Sequence, residues 1–108
     1  MALRNLLLAI PLLLVLPWPA ALAGDIHVEQ GHRFVRLHCA MCHAVERFGE
    51  SPLPIAPRFR ELHELYPVED LAESLAEGIF VNHPIMPQFT LDPDQVGDII
   101  AYLKSLED

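Results

Sequence analysis

The sequence predicts an all-α domain of three to four helices. Three observations point there. Apolar residues recur at three- and four-residue spacing, as in Val96, Ile99, Ile100 and Leu103, which gathers them on one face of a helix. No stretch alternates apolar and polar residues as a half-buried strand would. Proline and glycine punctuate the chain between the periodic stretches, at Pro52, Pro54, Pro57 and Gly78 among others, where helices stop and loops run. A chain of 108 residues has room for one small domain, and neither an internal repeat nor a linker divides residues 24–108.

The elements follow in chain order. Met1 to Asn5 carries one positive charge at Arg4, and Leu6 to Leu16 is an apolar run interrupted by Pro11. Pro17-Trp18-Pro19 breaks any helix, and Ala21-Leu22-Ala23 offers a small-x-small cleavage pattern. These are the three regions of a secretory signal peptide, expected over residues 1–23, with Gly24 starting the mature chain. A retained membrane anchor would need about 20 apolar residues. The run here is shorter and holds prolines, and no cysteine lies nearby to carry a lipid. Residues 24–108 are therefore expected in the periplasm.

Asp25 to about Ala40 reads as a helix with Val28, Gly31, His32 and Val35 on one face. A glycine inside a helix costs about 1 kcal/mol against alanine, which close contact with another helix would explain. Glu50 to Pro57 is a proline-stiffened loop, and Arg58 to Leu65 a short helix with Phe59 and Leu62 turned inward. Pro67 to Glu77 reads as another helix, stopped by Gly78. Ile79 to Leu91 is a loop. The last helix is the clearest: Asp92 is the N-cap, Pro93 the first helical residue, and Gln95 closes a capping box. Leu91 and Val96 are spaced for a hydrophobic staple, and Tyr102 and Leu106 flank the apolar stripe.

Residues 24–108 carry 6 basic and 15 acidic groups. That balance excludes nucleic acid, whose phosphates demand a basic surface, and an anionic membrane surface as the main partner. The acids cluster as Glu61/Glu64, Glu69/Asp70/Glu73/Glu77 and Asp92/Asp94/Asp98. They read first as solvated helix faces. If they steer association, the partner is basic and added salt slows the encounter.

The two cysteines stand in Cys39-Ala40-Met41-Cys42-His43. This C-x-x-C-H spacing is that of c-type haem attachment. Two thiols on one turn reach two vinyl groups on one haem edge, and the following histidine lies under the iron. A structural disulfide would not require the histidine. A thioredoxin-like pair belongs beside a βαβ pattern, which is lacking here. A zinc site would need a fourth ligand. A covalent haem also answers the size problem, because a domain of about 85 residues is marginal without a staple.

The second axial ligand must come from downstream. His27, His32, His38, His63 and His83 are candidates, with Met41 and Met86. Met41 lies inside the attachment motif and cannot reach the far face. Met86 stands in His83-Pro84-Ile85-Met86-Pro87, a stiff non-helical segment. A thioether held there is a sound iron ligand, and a His/Met pair raises the reduction potential. His83 is the rival and would give bis-histidine ligation.

With these residues the chain resembles the class I c-type cytochromes, over essentially all of residues 25–108. The resemblance implies the cytochrome c fold, three to four helices wrapped around one covalently attached haem c. It implies a first helix crossing the last at a glycine, here Gly31, with Val35 at the place of a frequent aromatic and Phe34 beside it. It implies that a proline carbonyl takes the imidazole N–H of His43. Pro57 is the choice and Pro54 the alternative. Iron with His43 and Met86 on its two faces has no vacant site, so no catalysis is expected and one-electron transfer remains. The expected protein is a monomeric periplasmic carrier serving redox partner proteins, and meeting membranes only through membrane-bound redox complexes. A haem subunit of a periplasmic oxidoreductase and a sensor with a labile Met86 are the alternatives.

Overall fold

The computed structural model describes residues 9–16, 21–78 and 86–108. Helix α1 spans Ala21–His38. A 3-10 turn at Phe59–Glu61 runs into α2, Leu62–Leu65. A second 3-10 turn at Val68–Asp70 runs into α3, Leu71–Glu77, and α4 spans Pro93–Ser105. The described residues contain no strand. None of their helices is long and apolar enough to cross a membrane. Residues 1–8 and 17–20 of the expected signal peptide lie outside the described residues, and so do residues 79–85 of the expected loop, His83 among them.

Helix α1 starts at Ala21 rather than Asp25. Alanine and leucine are strong helix formers, so local propensity carries the helix back through Ala21-Leu22-Ala23. It ends two residues before the expected Ala40 because the amides of Cys39 and Ala40 both donate to the Val35 carbonyl, at 2.8 and 3.0 Å. The stretch expected as one helix from Pro67 to Glu77 is two pieces. Pro67 is extended (φ −59°, ψ 128°), and Asp70 N–H donates to its carbonyl at 3.0 Å, tightening the first turn to 3-10 geometry. Gly78 ends α3 at φ 99°, a conformation that disfavours any residue with a Cβ. The capping box of α4 forms as read: Gln95 N–H donates to Asp92 Oδ1 at 2.9 Å, and Asp92 N–H donates to Gln95 Oε1 at 3.2 Å.

The core lies where α1 crosses α4. A Cβ on Gly31 would sit 2.0 Å from the Asp98 carbonyl oxygen and 2.9 Å from Tyr102 Cβ, so only glycine lets the helices meet there. Beside it His27 Nδ1 lies 2.6 Å from Asp98 Oδ1, and the His32 ring stacks on Tyr102 at 4.6 Å with the planes 8° apart. Val35, Val96, Ile99, Leu103 and Leu106 fill the same core, joined by Leu62, Val68 and Leu75 from the short elements. Each buried side chain of this size contributes about 1.5–3 kcal/mol. The spacing put Ile100 in the stripe and Tyr102 at its flank, and the structure exchanges them. Tyr102 is 4% exposed and Ile100 half-buried. The close approach at Gly31 brings α1 onto Tyr102, and the Tyr102 hydroxyl donates to the Val45 carbonyl.

Candidate functional site

The site grows from the C-terminal end of α1. Beyond Val35 the chain makes one more helix-like turn, with Cys42 N–H and His43 N–H donating to the Cys39 carbonyl at 3.2 and 3.0 Å. Residues three apart on such a turn share a face, so Cys39 and Cys42 lie side by side with His43 directly after them. Both cysteines are half-buried and no disulfide joins them. Burial pushes the Cys39 thiol up to about 11, so it is neutral around pH 7. No group of three metal-ligating side chains gathers among the described residues, which leaves a zinc site without its ligands there.

His43 is positioned from the far side of the following loop. Its Nδ1–H donates to the Pro57 carbonyl at 2.7 Å. A carbonyl only accepts, so the proton is on Nδ1 and the neutral ring keeps its lone pair on Nε2. The Phe59 ring packs against the imidazole at 4.8 Å with a 42° tilt, setting its orientation as well. The loop that delivers Pro57 is stitched to the motif. Ala44 N–H donates to Ser51 Oγ at 3.0 Å, Leu53 N–H to the Cys42 carbonyl at 3.0 Å, and Phe59 N–H to the Ala44 carbonyl at 2.9 Å. With Pro52, Pro54 and Pro57 restricting its φ angles, this loop has little freedom to move the acceptor.

Met86 is half-buried at the head of the segment that leads into α4. That segment is tied at two points. The Phe89 ring meets the His38 ring edge-on at 6.4 Å, and Leu91 N–H donates to the Leu75 carbonyl at 3.0 Å. Among the rival histidines, His27 is paired with Asp98. His32 Nε2 meets both oxygens of Glu46 at 2.8 and 2.9 Å, and His38 also packs on Phe34 at 4.4 Å. Met41 is 88% exposed. The sequence carried no signal for Ser51 or for the His38–Phe89 contact, because both join residues that become neighbours only on folding.

The donor set fits a haem: two unpaired thiols on one face of a turn, and an imidazole whose outer nitrogen is tied and whose Nε2 lone pair is available. A family model described as Cytochrome c matches residues 28–107. The chain belongs to the cytochrome c family. It is a class I c-type cytochrome, so it carries covalently bound haem c, and Cys39 and Cys42 fit the attachment motif. A cytochrome c-553-like protein of Synechocystis sp. is 28% identical over 89 residues, which are 80% of this chain and 73% of the relative. No solved structure matches this cytochrome c. Its chemistry is haem-based electron transfer.

Proposed function

We propose that this cytochrome c is an exported, periplasmic electron carrier whose haem iron is held between His43 and Met86, and that it is not an enzyme. The observation that carries the reading is the His43 Nδ1–H bond to the Pro57 carbonyl at 2.7 Å, directly after the Cys-x-x-Cys turn. A bound haem c supplies one electron, exchanged between ferric and ferrous iron. Pro57 fixes the His43 tautomer and raises the basicity of Nε2. Phe59 prevents the ring from turning. Met86, followed by Pro87 and anchored through Phe89 and Leu91, offers a neutral thioether that favours the reduced state. The core around Val35, Leu62 and Val68 keeps water off the buried side. Apolar residues at 6–16 and the Ala21-Leu22-Ala23 pattern support export. The acid clusters support a basic redox partner.

The test is an absorption spectrum of the haem-loaded protein, oxidised and reduced. A c-type ferrous spectrum with the weak near-red band of sulfur bound to ferric iron is expected, and Met86→Ala should abolish that band. A wild-type spectrum lacking the band would overturn Met86 as ligand and leave His83 or an open iron position. Rapid carbon monoxide binding would then identify the open site.

A further inference from the structure

The histidines of this cytochrome c are held in two ways. His27, His32 and His43 each meet an oxygen through a ring nitrogen, at 2.6, 2.8 and 2.7 Å. His38 is held by rings instead. It is the last residue of α1, and its imidazole packs on Phe34 at 4.4 Å and meets the Phe89 ring edge-on at 6.4 Å. Phe34 is itself packed against the core. The three rings form a row that runs from the core, past the end of α1, to the segment that carries Met86.

That segment has little else to hold it. Pro87 has no N–H to donate. Among the described residues, the first backbone hydrogen bond after Met86 runs from Leu91 N–H to the Leu75 carbonyl. The one aromatic contact of the segment among the described residues is Phe89 with His38. A stretch with few buried contacts and few backbone bonds opens locally at low cost, so each contact it does make counts for more. His38 directly precedes Cys39, and Phe89 follows closely on Met86. The contact therefore joins the chain that carries the attachment cysteines to the chain that carries the ligand for the other face of the iron.

We propose that His38 is a positioning residue for Met86: it holds the Phe89 ring, and through it the segment that keeps the thioether on the iron. The proposal rests on the His43/Met86 reading above. An edge-to-face pair needs a ring rather than a charge or a particular nitrogen. Phenylalanine should therefore serve at position 38, and alanine should not. An outside ligand reaches the iron only while Met86 is away from it. The rate at which such a ligand binds thus reports how readily the segment opens.

The experiment follows imidazole binding to the ferric, haem-loaded protein, with imidazole in excess so that opening of the segment limits the rate. Wild type is first checked for the near-red band of sulfur bound to ferric iron. Its absence overturns the Met86 reading and this proposal with it. With the band present, His38→Ala should bind imidazole about 2- to 10-fold faster than wild type, the range that loss of an aromatic pair supports. His38→Phe should return to the wild-type rate. Phe89→Ala should be at least as fast as His38→Ala, and combining the two should speed binding no further. A wild-type rate in His38→Ala, or a fast rate in His38→Phe, overturns the proposal and leaves Met86 as ligand. So does a double variant in which His38→Ala adds its full factor to that of Phe89→Ala, because the two residues then act independently. Should His38→Ala fail to take up haem beside Cys39, Phe89→Ala replaces it. A rise of the same size supports the proposal, and the wild-type rate overturns it.

Discussion

The α1–α4 crossing and the loop from Ala44 to Arg58 are built on opposite principles. At the crossing, side chains do the holding. Gly31 admits a backbone, His32 stacks on Tyr102, and four side chains of α4 are buried. In the loop Val45 reaches the core, but Phe48 and Ile55 are 79% and 71% exposed, and most of the order comes from prolines and from amides donating to Ser51, Cys42 and Ala44. Regions rich in buried apolar contacts resist local opening better than regions held by exposed backbone bonds. The crossing is thus a scaffold of packed side chains. The loop is an arm that presents the Pro57 carbonyl and the Phe59 ring to His43.

Removing the haem is the severest way to break that contrast. Cys39→Ser with Cys42→Ser should leave a chain of this size without a fixed fold, and circular dichroism should show helix content well below that of the haem-loaded protein. Native helix content in that variant would mean that the crossing stands without the cofactor. Next in size is Gly31→Ala. The added methyl meets the Asp98 carbonyl, which is backbone and cannot turn away. A loss of about 3 kcal/mol is expected in urea unfolding of the haem-loaded protein, with the covalent haem spectrum unchanged.

Phe59→Ala tests the loop. The ring is half-buried against His43, so a smaller loss of about 1–2 kcal/mol is expected, read as a lower urea midpoint in the haem-loaded protein. An unchanged midpoint would show that the backbone bonds alone hold the arm. Tyr102→Phe is the mildest change and touches both regions, because the Tyr102 hydroxyl ties α4 to the loop at Val45. About 1 kcal/mol should be lost near neutral pH. Burial, with Glu46 adding to it, pushes this hydroxyl from about 10 up to about 12. The native state therefore keeps a proton that the unfolded chain gives up. Stability from this group is intact below pH 10 and falls as pH rises toward 12. Thermal melts of Tyr102→Phe should lose that part of the alkaline decline, and an identical decline in both proteins would assign it elsewhere.

Sequence and structure agree where the determining physics is local. The capping box at Asp92 and Gln95, the stop at Gly78 and the attachment turn at Cys39–His43 all depend on residues within a few positions of one another. Departures occur where a distant partner decides. Periodicity favoured Ile100 over Tyr102, because a tyrosine hydroxyl counts against burial until an acceptor such as the Val45 carbonyl is supplied. The helix read from Pro67 to Glu77 has a 3-10 first turn, a choice between two hydrogen-bond patterns too close in energy for spacing to reveal.

By itself the sequence determined the all-helical class, the boundaries set by proline, glycine and capping side chains, and the residues able to bind haem c. Those features are chemistry carried by neighbours along the chain. Only the tertiary structure decided which proline carbonyl meets His43, which face of α4 is buried and what Gly31 is small for. Each of these is a meeting of groups far apart in sequence. It is settled when helices close to within an atom's width and buried donors must find acceptors or go without.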